Sequence, residues 1–194
     1  MTEAMPNPHR GDRLVLPEGA TAQEVHTFAE GAGFKEGREN RTEFVLEKVW
    51  IVSGQLYFHY VDDAATGVAY VRFTGDKREH VERFTELART FFSPIGVDNL
   101  MVAVREASTP EARAHAIVRL ATGLPGEPPP EGLGMIEEAF VSSDAGVRRG
   151  ALLSALYLDW PIVRSWVVHM ERHDEQETLR LQARYFIDKN EAAS

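Results

Sequence analysis

The chain has 194 residues and a net charge of −9 from 30 acidic and 21 basic side chains, with 43% hydrophobic and 26% charged residues. That length accommodates one domain or two small ones, and the acidic balance excludes a generally basic nucleic-acid binder while leaving room for a local basic stripe. The absence of cysteine excludes a disulfide frame, a thiol nucleophile and a thiolate metal site, and fits a reducing, bacterial-type cytoplasm.

Residues 1–12 hold no apolar signal-peptide core and read as a disordered polar lead-in. No apolar run anywhere approaches the roughly 18–20 residues of a membrane span. Residues 13–94 carry mixed signals. Arg13 to Leu16 reads as a short strand ended by Pro17-Glu18-Gly19. Thr21-Ala22-Gln23-Glu24 matches a capping box, in which Thr21 and Glu24 satisfy each other's orphan amides at a helix start. Val25, Phe28 and Ala29 form that helix's buried stripe, and Gly31 or Gly33 stops it. Phe44 to Val52 is rich in β-branched and aromatic residues, and Ser53-Gly54 is a tight turn. Gln55 to Val61 alternates, with Leu56, Phe58 and Tyr60 on one face and Tyr57, His59 and Val61 on the other. A loop over 62–67 leads to a strand from Val68 to Phe73. A helix from Asp76 to Phe92 follows, with Val81, Phe84, Leu87, Ala88 and Phe91 on one face. The order β-α-β-β-β-α makes the fold class α+β, a small antiparallel sheet with two helices.

Beyond Ser93-Pro94-Ile95-Gly96 the periodicity is helical only, and residues 95–190 repeat. Three segments align around Arg113, Arg148 and Arg180, which lie 35 and 32 residues apart, each with an alanine three positions later (Ala116, Ala151, Ala183). Each is preceded by another helical run, Val97 to Glu106, Gly132 to Phe140 and Pro161 to Arg172, so three helix pairs are expected. One pair cannot bury its apolar face alone, whereas stacked neighbours share a core. The repeated arginines, with Asp144 and Asp174, are placed to form a ladder between units. Asp144-x-x-Val147-Arg148-x-x-Ala151-Leu152, followed by Tyr157-Leu158-Asp159-Trp160-Pro161, resembles HEAT repeats of the short bacterial type. The resemblance covers about residues 96–190 and is good in the middle unit. It implies an α-solenoid whose curved face commonly binds protein and, in some families, DNA, and it does not imply an enzyme. An α+β unit before such an array resembles bacterial proteins found among toxin-immunity proteins.

Several motifs carry a functional and a structural reading. His169 and His173 are four apart on one helical face, the spacing of a metal pair, yet without the adjacent glutamate of a zinc protease or an assignable third ligand. His59 stands among aromatics with Asp62 and Asp63 beyond it, either a ligand or acid–base site or a core strand with its turn. Gly31, Gly33 and Gly37 miss the spacing of a dinucleotide loop and follow a helix instead of opening one. No G-x-S-x-G occurs. The Gly123 to Gly132 segment, with Pro128, Pro129 and Pro130, reads as a stiff non-helical connection. The second helices carry a slight basic excess and the first helices an acidic one. Arg119, Arg149 and Arg184, with His115, are therefore the expected partner-binding residues.

The expectation is a cytoplasmic, non-enzymatic interaction protein of adaptor or immunity type, with a protein partner and no cofactor, metal or catalytic residue. Two alternatives compete with it. One is a nucleic-acid-binding or DNA-repair role using Trp160 or Trp166, and the other is small-molecule binding through Tyr57, His59 and Trp50.

Overall fold

A computed structural model describes residues 8–192 of the chain. It divides into two compact units, one ending at Gly96 and one beginning at Val97.

The first is an α+β unit. Its strands are β1 (His9–Arg10), β2 (Leu14–Val15), β3 (Lys35–Arg41), β4 (Val45–Ser53), β5 (Leu56–Asp63) and β6 (Val68–Gly75), and its helices are α1 (Ala22–Gly31) and α2 (Arg78–Phe92). The strands form one sheet in the order β1-β6-β5-β4-β3, with β2 also on β6, and every pairing is antiparallel. Alternation along the strands sends Trp50, Leu56, Phe58, Tyr60, Val71 and Phe73 into one core with Val25, Phe28 and Ala29 of α1 and Val81 and Ala88 of α2. Each large side chain buried there contributes about 1.5–3 kcal/mol. Phe58 sits at the centre, 4.8 Å from the Phe73 ring and 5.5 Å from that of Phe28. The capping box at Thr21 and Glu24 is formed in both directions. Gly33 turns the chain out of α1 at a φ of +74°, a region open to glycine and strained for other residues.

Three details differ from the sequence expectation. β3 was not expected, because Lys-Glu-Gly-Arg-Glu-Asn-Arg has no apolar alternation and all seven residues are exposed. It is an edge strand, where charge blunts further pairing instead of serving the core. Gly37 allows its bulged approach, since a Cβ there would lie 2.7 Å from the Val49 carbonyl oxygen. In α2, Leu87 and Phe91 were expected on the buried face but are exposed, and Thr85 takes a core position. The expected lead-in lies partly outside the described residues. Of the rest, His9–Arg10 is paired with β6.

The second unit holds α3 (Val97–Glu106), α4 (Pro110–Gly123), α5 (Pro130–Phe140), α6 (Ala145–Ser154), a 3-10 turn (Ala155–Tyr157), α7 (Trp160–His173) and α8 (Glu177–Glu191). The helices pack as α3 on α4, α5 on α6 and α7 on α8. Between pairs, α4 lies closely along α6, and α5 touches both α3 and α7. Thr109 and Asp144 cap α4 and α6 through side-chain oxygens. Pro110, Pro130 and Pro161 all stand in a first helical turn, where a missing N–H costs no helical bond. The proline-rich connection is correspondingly shorter than expected: Gly123 closes α4, and Pro130 to Gly132 already belong to α5. No helix among the described residues is long and apolar enough to cross a membrane.

Candidate functional site

In the helical unit the repeated arginines hold turns. Arg148 is almost fully buried and makes a two-pronged pair with Asp174, Nε to Oδ2 at 2.7 Å and Nη2 to Oδ1 at 3.0 Å. Its Nη1 donates to the carbonyls of Ser142 and Ser143, six and five residues earlier. Arg180 repeats that pattern, with Nη1 donating to the carbonyls of Asp174 and Glu175. Arg113, at the matching position of the first pair, is exposed. Hydrogen bonding to Arg148 holds the Asp174 carboxyl below its usual range, and Asp174 in turn raises the Arg148 guanidinium. Arg148, paired with Asp174, therefore contributes no free charge to a binding face, and the basic excess expected on the second helices is smaller by that charge.

The four expected binding residues stand apart from one another. His115 and Arg119 are half-buried, one turn apart on α4, whereas Arg149 of α6 and Arg184 of α8 are exposed. Arg184 also reaches Glu171 of α7 at 2.7 Å. Large apolar side chains left to solvent accompany them: Leu181 and Tyr185, four apart on α8, are 63% and 65% exposed. His169 and His173 do face each other, with ring centroids 4.8 Å apart. They border a cavity of about 360 Å³ with Val141, Arg148 and Glu175. No group of three or more His, Cys, Asp or Glu side chains among the described residues is placed to hold a metal.

In the sheet unit, the face opposite the helices is polar. His59 of β5 bridges two strands. Its Nδ1 lies 3.1 Å from Oε1 of Glu47 on β4, and its Nε2 lies 2.8 Å from Oγ1 of Thr74 on β6. A carboxylate only accepts, so Nδ1–H donates to Glu47 and Nε2 accepts the Thr74 hydroxyl proton. Burial pushes the imidazole below its ordinary pKa and outweighs the opposing pull of Glu47, so the ring is neutral near pH 7. Burial alone would raise the Glu47 carboxyl, but hydrogen bonds from His59 and Asn40 bring it below its usual range. Chemically this is a proton acceptor held against a hydroxyl and oriented by a carboxylate.

Beyond Thr74 the same face turns cationic. Arg10 pairs in register with Thr74. Arg13 immediately precedes β2, whose Leu14 pairs with Val71, the neighbour of Arg72 on β6. Arg13 hydrogen-bonds the Tyr70 hydroxyl and lies 5.9 Å from its ring.

No family model, curated protein or solved structure matches this chain. What it can do rests on these two regions.

Two sequence readings separate at this point. Trp50 does not join Tyr57 and His59: it is buried in the core on the other face of the sheet. Asp62 and Asp63 do not act together either. Asp63 is buried and its Oδ1 accepts from the amides of Ala65 and Thr66, which shapes the β5–β6 turn, while Asp62 is exposed. Trp166 donates to Glu137, and Trp160 packs against Phe186. Sequence reasoning missed Glu47, Thr74, Arg72, Arg13 and Arg10. One signal was legible: Arg72 interrupts an otherwise apolar strand run at the same parity as Tyr70 and Thr74.

Proposed function

We propose that the protein is a non-enzymatic interaction protein of adaptor or immunity type, working in the cytoplasm, whose residues from Val97 onward form a HEAT-like array that takes a protein partner. The observation that carries this reading is the pair Leu181 and Tyr185. They leave two large apolar side chains one turn apart on α8, mostly open to water, beside the cationic Arg184. Aromatic, aliphatic and arginine side chains grouped in this way are those that dominate protein interfaces. The repeated turn-holding bonds of Arg148 and Arg180, and the packing of α4 along α6, support the array. With Arg148 and Arg180 holding their own turns, the exposed cations of the second helices that a partner would meet include Arg149 of α6 and Arg184 of α8, the latter beside Glu171. An apolar centre with an acidic rim is the partner surface that fits them.

The test is capture by the tagged full-length chain from its own cells. The expected result is a stoichiometric protein partner, lost both on Arg149→Glu with Arg184→Glu and on Leu181→Asp with Tyr185→Asp. A bait that retains nothing, or a partner indifferent to both pairs of changes, contradicts the proposal.

A further inference from the structure

The sheet unit contains a feature that the partner-binding reading leaves unused. Among the described residues, two buried side-chain nitrogen or oxygen atoms have no hydrogen-bond partner, and they are Nε of Arg13 and Nε of Arg72. Arg72 lies on β6, and Arg13 immediately precedes β2, which pairs with β6. An orphaned buried donor costs about 1–3 kcal/mol, so two at the same place are not expected from a fold seeking only stability. Like charges close together are unfavourable as well, and both Arg13 and Arg10 act on Arg72. Glu47, the carboxylate whose charge is felt at Arg72, is shared with His59, Asn40 and Arg38. Arg72 makes no ion pair with any described residue.

We propose that this face binds a small oxyanion, the phosphate or carboxylate group of a small molecule, between Arg72, Arg13 and Arg10. A guanidinium takes an oxyanion through neighbouring N–H groups, and since the Nε of Arg72 is covered by protein atoms, its terminal Nη groups are the ones presented to the anion. Arg13 is already positioned, since its bond to Tyr70 fixes its direction. Arg10 is exposed at the rim and closes the third side. The Thr74 hydroxyl is committed to His59 and does not take part as a donor. Burial, with Arg13 beside it, pushes the Arg72 guanidinium down to about 10 against the opposing pull of Tyr70 and Glu47. On a chain of net charge −9, a concentrated cationic spot of this kind is set apart from its surroundings.

The experiment uses the full chain labelled with 15N-arginine and titrated at constant ionic strength with sodium phosphate, sodium acetate or sodium chloride. The expected result is a saturable shift of the Arg72 Nε–H resonance with phosphate, acetate or both, and none with chloride. A response to phosphate alone assigns a phosphoryl ligand, and a response to acetate alone a carboxylate. Thermal unfolding gives a second readout, because an anion held by the folded state alone raises the midpoint. Arg72→Met keeps the apolar stem and removes the charge and the orphaned donor. It should lose the anion-dependent rise while leaving the midpoint in chloride unchanged or higher. Arg149→Met, in the other unit, should retain the rise in full. Equal responses to all three salts, no saturable response to any, or an Arg72→Met variant that keeps the rise overturns the proposal.

Discussion

The side chains that read as functional in the sequence divide by what surrounds them. Arg148 and Asp174 are 9% and 2% exposed and are held by further hydrogen bonds at both ends. Removing one member of a buried pair leaves the other uncompensated, so Arg148→Ala should cost about 3 kcal/mol. Arg180→Ala, which removes only bonds to carbonyls from a half-buried side chain, should cost about 1 kcal/mol. Urea unfolding measures both, and equal losses would contradict the distinction. His59 supplies a pH signature. Its folded pKa is depressed, so below about 6.5 the unfolded chain binds a proton that the folded chain does not. The unfolded state then binds more protons, and stability falls as pH drops through that window. Glu47 and Asp174, also depressed, add a further loss as pH falls through and below the carboxylate range. His59→Gln should flatten the slope of stability against pH near 6 and leave the acid limb standing. An unchanged slope near 6 would show that His59 is not its source.

At the scale of elements, α4 and α6 approach each other closely. A Cβ at Gly150 would lie 2.8 Å from both Cα and Cβ of Ala114. Gly→Ala inside a helix ordinarily stabilises by up to about 1 kcal/mol. Here the collision is with backbone, and Gly150→Ala should instead destabilise by about 1–3 kcal/mol. Calorimetry of the variant decides the sign. The same elements explain what was legible beforehand. The helices from Val97 onward could be read because caps, first-turn prolines and a 3.6-residue stripe coincide there. β4, β5 and β6 could be read because one face of each is apolar. β3 could not, since an edge strand buries nothing and leaves no alternation to detect. The polar sheet face was half legible: the parity of His59 with Tyr57 was clear, but the pairing register that brings Glu47 and Thr74 to its two nitrogens is a property of strands distant in sequence.

For the whole molecule, the two proposals place separate work on separate surfaces: a protein partner on the helical unit, and a small oxyanion on the polar face of the sheet. No side chain is shared between them, so changes at each should act independently, as expected for sites without common partners. The most direct test is retention of the partner by the tagged full-length chain, measured quantitatively for the natural sequence, for Arg149→Glu with Arg184→Glu, and for Arg72→Met. The account predicts that the charge reversals abolish retention and that Arg72→Met leaves it intact. Retention that survives the reversals and is lost with Arg72→Met would contradict it, and would move partner recognition to the sheet.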